Sequence, residues 1–79
     1  MAHPRIARDP KIMMGKPVIR GTRITVEIIL RKLAEGHQQA DLLDDWPHIS
    51  ADDIQAALAF AADYLAHESV LGLEGAAGS

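Results

Sequence analysis

From residue 25 onward the apolar positions recur at helical spacing. Val26, Ile29, Leu30 and Leu33 stand at i, i+3, i+4 and i+7, one face of an amphipathic helix. Thr25 suits the N-cap and Gly36 the position just past the C-terminus, so the pattern predicts a first helix over about 25–35. Its opposite face carries Glu27 and Arg31 as an i, i+4 pair. A second, shorter helix over about 38–45 buries Leu42 and Leu43. It ends at Trp46-Pro47, because proline disfavours helical geometry in the residue before it. Ser50 and Asp53 then form a capping box with Asp in place of the usual Glu, opening a third helix over about 51–67. In that helix Ile54, Leu58, Ala61 and Leu65 make a core stripe, and Ala56, Phe60 and Tyr64 a second apolar stripe beside it. Together they span an arc of roughly 200°, where a thin core needs only about 100°. The third helix therefore either faces a second chain, through Ala57, Phe60, Ala61, Tyr64 and Leu65, or sits centrally in its own three-helix cluster.

The first 25 residues break this period. Pro10, Gly15, Pro17 and Gly21 exclude a continuous helix. The stretches 5–8 and 17–19 read as two short strands or a strand-like arm, with Asp9-Pro10 and Met14-Gly15-Lys16 as turns and Gly21 at positive φ. The expected fold is mainly α: a small three-helix, helix-turn-helix domain over 1–71 preceded by a short N-terminal β-hairpin or β-arm. Residues 72–79, rich in glycine and without pattern, are expected to be a disordered tail.

With 79 residues the chain supports one thin core, for which a partner subunit is a natural source of added stability, so a homodimer or higher homo-oligomer is expected. The lack of cysteine removes disulfides, thiolate metal sites and cysteine nucleophiles. No membrane-length apolar run and no cleavable leader pattern occur, so the cytoplasm is the expected compartment, with no membrane partner. The formal charge of −3 conceals a division: residues 1–32 hold all eight bases and two acids, whereas 33–79 hold nine acids and no base. Such asymmetry suits different partners on different faces, or head-to-tail self-association.

Candidate chemistry is sparse. Gly15-Lys16 lacks the spacing of a phosphate loop, and His3, His37, His48 and His67 are too widely spaced for a helical metal pair. Ser50, Ser69 and Ser79 do not assemble a nucleophilic set. Neither enzyme activity nor a cofactor or metal is expected. Duplex DNA is a possible ligand of a three-helix domain, but the third helix carries Asp52, Asp53, Asp63 and Glu68 without a single base and would bring carboxylates towards phosphates. Contact with DNA or a partner falls instead to Arg5, Lys16, Arg20, Gly21, Thr22 and Arg23, with Arg8 nearby. A competing role for Arg20 and Arg23 is to hold carboxylates across a protein interface.

The run Ile6-Ala7-Arg8-Asp9-Pro10-Lys11-Ile12, followed by Gly15-Lys16-Pro17-Val18-Ile19-Arg20-Gly21-Thr22-Arg23-Ile24-Thr25-Val26, closely resembles the bacterial domain-of-unknown-function family 433. Ala34-Glu35-Gly36, Asp45-Trp46-Pro47-His48-Ile49 and Asp53-Ile54-Gln55-Ala56-Ala57-Leu58 follow the same family's pattern. The likeness covers about residues 5–67, and departs from the family at Met14, where a second glycine is frequent. It implies a trihelical fold of homeodomain or winged-helix kind, often dimeric. It further implies an antitoxin of the VapB type, paired with a PIN-like ribonuclease toxin and repressing its own operon. The resulting expectation is an antitoxin-like protein-binding module; a stand-alone DNA-binding transcriptional regulator and an orphan homo-oligomerisation domain are the alternatives.

Overall fold

The structure, a computed structural model, describes the backbone of residues 3–76 and the side chains of residues 3–67. Strand β1 (Ile6–Ala7) pairs antiparallel with β2 (Val18–Ile19), Ile6 opposite Ile19 and Ala7 opposite Val18. This is the expected hairpin, closed by a long connection. The other edge of β2 is also used: Ile19 N–H donates to the Ile24 carbonyl and Val26 N–H to the Pro17 carbonyl, so the chain doubles back along β2 before its first helix. The reversal is a tight turn, in which Thr22 N–H donates to Ile19 and Gly21 takes φ +81°. Positive φ costs glycine almost nothing, which fits it to this position.

Helix α1 (Val26–Ala34) begins where its cap allows: the Thr25 hydroxyl accepts from Ile28 N–H at 3.0 Å. It ends in paired bonds from Gly36 N–H to Leu33 and from His37 N–H to Lys32, with Gly36 at φ +100°. This is the arrangement that satisfies the last carbonyls of a helix through a left-handed residue. Helix α2 (Gln39–Asp45) follows, its start held by Asp41, which accepts from the Gln38 N–H at 2.7 Å. Helix α3 (Ala51–Ala76) opens with the reciprocal box expected of Ser50 and Asp53: Ser50 N–H donates to the Asp53 carboxylate at 3.0 Å and Asp53 N–H to the Ser50 hydroxyl at 3.2 Å. α3 continues past His67, where the apolar pattern places its end. It takes in Gly72 and Gly75, each costing a helix about 1 kcal/mol relative to alanine, which is why the pattern does not foresee the extension. Part of the stretch 72–79 expected as a tail thus falls within α3, and residues 77–79 lie outside the described ones.

The three helices close over one face of the sheet. Ile29, Leu42, Ile54 and Ala57 are fully buried, and Ile6, Ile19, Ile24, Val26, Ile49 and Ala61 complete the same cluster. Two residues expected on an intermolecular face, Ala57 and Ala61, are therefore taken up by the chain's own core: each lies one helical turn along from Ile54 or from the other, on the inward stripe. Leu65, expected both in the core stripe and on the intermolecular face, is 58% exposed and so is not part of the core. The apolar arc is real, but its buried part ends at Ala61: Leu65, one turn further along on nearly the same face as Ile54, lies beyond the core. No helix among the described residues is long and apolar enough to cross a membrane.

Candidate functional site

The basic residues of the N-terminal segment do not gather into one patch. Arg20 turns back onto the arm, its Nε donating to the Pro4 carbonyl at 2.7 Å and a terminal nitrogen to the Ile6 carbonyl at 3.2 Å. Arg5 reaches α3, donating to Asp53 at 3.0 Å with Asp52 at 3.7 Å. Thr22 serves its own turn: its hydroxyl donates to the Ile19 carbonyl at 2.8 Å and accepts from Ile24 N–H at 3.0 Å. Arg5, Arg20, Gly21 and Thr22 therefore have structural work within the chain. Lys16 pairs with Glu27 at 3.1 Å, and Arg23 is exposed and forms no hydrogen bond or ion pair among the described residues.

Two concave surfaces lie on either side of α1. The first is an apolar groove of about 550 Å³ between α1 and α3, floored by Val26, Leu30, Ala34, Phe60, Ala61, Tyr64 and Leu65 and edged by Arg8 and Pro17. Tyr64 is 49% exposed there, and Phe60 stacks beside it with ring centres 6.2 Å apart. On the far side of Phe60 the His3 ring meets it edge-on at 5.4 Å while its Nε2 sits 2.8 Å from Asp63, pinning the start of the chain to the middle of α3. Of the residues expected on an intermolecular face, Phe60, Tyr64 and Leu65 are brought together at the groove.

The second surface is a cleft of about 400 Å³ bounded by Met13, Lys16, Arg23, Ile28, Arg31 and Trp46. Lys32 stands 5.9 Å from the centre of the Trp46 ring, within range of a cation–π contact. The turn that forms one wall is unusual: Met13, Met14 and Gly15 all adopt positive φ, at 49°, 56° and 82°. Non-glycine residues rarely take this conformation, and Met14 projects 88% exposed. Nothing in the hydrophobic pattern signals this cleft; the one available sign is Met14 itself, where the resembled family often has a glycine.

Groove and cleft share a ridge, Glu27 and Arg31, paired at 3.1 Å as the i, i+4 spacing predicts. Hydrogen bonds from Lys16 and then Arg31 hold the Glu27 carboxyl below its ordinary pKa. Partial burial works to raise that of Asp53, but the Ser50 N–H and the Arg5 guanidinium outweigh it and leave the Asp53 pKa lowered. Among the described residues no three His, Asp or Glu side chains converge on a point that could hold a metal ion.

Comparison with known proteins agrees with this architecture. Residues 6–61 match the profile of a family described as a protein of unknown function, DUF433. An uncharacterized protein, y4eO, of Sinorhizobium fredii is 36% identical over 56 residues, which are 71% of this chain and 25% of that protein. The crystal structure of a DUF433 member from Anabaena variabilis superposes with a TM-score of 0.67 at 27% identity, over 90% of this chain and 62% of that one. The chain thus spans about a quarter of the first relative and somewhat under two thirds of the second.

Proposed function

We propose that this chain, which belongs to the DUF433 family, is a protein-binding module of the antitoxin kind, which homodimerises through α3 and holds a PIN-like ribonuclease in an inactive complex. One observation carries the reading: the groove between α1 and α3, where the exposed Tyr64 and Leu65 extend the half-buried Phe60 into apolar surface that the chain's own core does not cover. Isolated exposed apolar residues are ordinary, but a concave run of them marks an interface. A second copy laid along α3 covers Tyr64 and Leu65 and adds the buried area a small domain lacks. The internal engagement of Arg5 and Arg20 weighs the reading towards protein rather than duplex DNA.

The test is a double substitution, Tyr64→Asp with Leu65→Asp, at positions exposed enough to leave folding intact. Sedimentation is expected to show a dimer for the unaltered chain and a monomer for the variant. In parallel, the chain is titrated against a PIN-like ribonuclease encoded beside it, with RNA cleavage followed. Inhibition at stoichiometric ratio supports the reading; a monomeric unaltered chain that neither binds nor inhibits the nuclease overturns it.

A further inference from the structure

We propose that the cleft between the Met13–Gly15 turn, α1 and Trp46 docks an acidic amphipathic segment of a partner protein, its apolar side chain seated against Trp46 and Met13 and its carboxylates on Arg23 and Arg31. This deepens the reading above and rests on it for the partner being a protein.

Three observations converge. The walls are cationic: Lys16, Arg23 and Arg31 surround the cleft against the single carboxylate of Glu27, and Arg23 has no counter-charge among the described residues. A planar, exposed guanidinium of this kind is suited to a carboxylate, which it grips through two parallel N–H donors. The floor is apolar, formed by Ile28 and the half-buried Trp46 ring. Finally, the wall that carries Met13 is held in a left-handed conformation, with Met13 at φ 49° and Met14 at φ 56°, which is unfavourable for residues other than glycine. That strain presents flexible thioether side chains to solvent, at 40% exposure for Met13 and 88% for Met14. Backbone strain of this sort accumulates at binding sites, and methionine adapts its shape to varied apolar partners.

The same geometry argues against a nucleic-acid backbone in this cleft. Glu27 lies between Lys16 and Arg31, 3.1 Å from each, and interrupts the continuous positive track that a chain of phosphates follows. Separate carboxylates flanking an apolar anchor need no such track; they need discrete cations on either side of an apolar floor.

Trp46 is the only tryptophan of the chain, so its emission reports on this cleft alone. The full chain is titrated with a short synthetic peptide of Leu, Phe, Asp and Glu, with the same peptide carrying Asn and Gln for its acids, and with oligothymidine of equal length. The acidic peptide is expected to shift Trp46 emission to the blue and to bind about tenfold more tightly than the amide peptide, the difference shrinking as salt is added. Arg23→Glu, at an exposed position that supports no other group, is expected to weaken binding about tenfold. Glu27→Gln is expected to tighten it about threefold, a gain that no folding defect can imitate. Tyr64→Asp, which tests the groove, leaves the titration unchanged, so a failed dimer and a failed cleft are read separately. Equal affinity for the amide peptide, indifference to Arg23→Glu, tighter binding of oligothymidine, or no binding of the acidic peptide overturns the proposal.

Discussion

The turn at Gly21 and the turn at Met14 flank the same strand, β2, and resolve the same problem in opposite ways. At the first, every group is employed in holding the fold: Gly21 takes the positive φ that suits it, Thr22 closes the turn with its hydroxyl, and Arg20 ties the arm through two carbonyls. At the second, methionines occupy the left-handed region and point outwards, and the neighbouring Arg23 is unengaged among the described residues. A turn whose residues fit its geometry is spent on stability; one whose residues do not fit has surface left over for something else. The string from Gly15 to Val26 reads as a single motif in sequence, yet its cations divide between these two uses.

The largest effect is expected of Gly21→Val, which puts a β-branched side chain on the positive-φ residue of the first turn. Space is open around a new Cβ, so the cost is backbone strain alone, expected at about 2 kcal/mol and read as a lowered denaturation midpoint. If the variant is as stable as the parent, the first turn is not the structural one. Next, Arg20→Ala is expected to cost about 1.5 kcal/mol through two lost charge-assisted bonds, whereas Arg23→Ala changes stability by less than about 0.5 kcal/mol. Equal effects in chemical denaturation would erase the distinction between employed and unused arginines. Met14→Gly carries the opposite sign: relief of the left-handed strain is expected to stabilise by about 0.5–1 kcal/mol, offset in part by the entropy glycine gains on unfolding. The smallest effect concerns Asp53, whose lowered native pKa stabilises the fold above the ordinary carboxylate value of about 4. That contribution is lost as pH falls through the lowered native value, so Asp53→Asn should flatten the acid limb of the stability curve. An unchanged acid limb would mean that the Ser50 and Arg5 contacts do not persist in solution.

The capped helix boundaries were legible because their causes are local. Thr25, Ser50 with Asp53, and Gly36 act within three to five residues of themselves, and each does what its spacing implies. The roles of the arginines were not legible for the converse reason. Arg5 finds Asp53 across 48 residues and Arg20 finds Pro4 across 16, so a count of charges cannot separate a paired cation from a free one. The division of α3 between buried and exposed faces was half legible: an excess of apolar arc is visible in the sequence, but allotting Ala57 and Ala61 to the inside and Leu65 to the outside requires knowing where the rest of the chain packs. The cleft escaped the pattern altogether, because its walls come from a turn, a helix and the Trp46 cap of another helix.

The seating of His3 on Asp63 and Phe60 has a kinetic consequence. It closes a loop of 60 residues, and chain entropy makes such a closure slow relative to the helix caps, whose partners are neighbours. The arm should therefore dock after the three helices have assembled and detach before they come apart. Amide exchange would record this order directly: the Arg20 N–H, bonded to the Arg5 carbonyl across the hairpin, should exchange with solvent well before that of Ile29 inside α1.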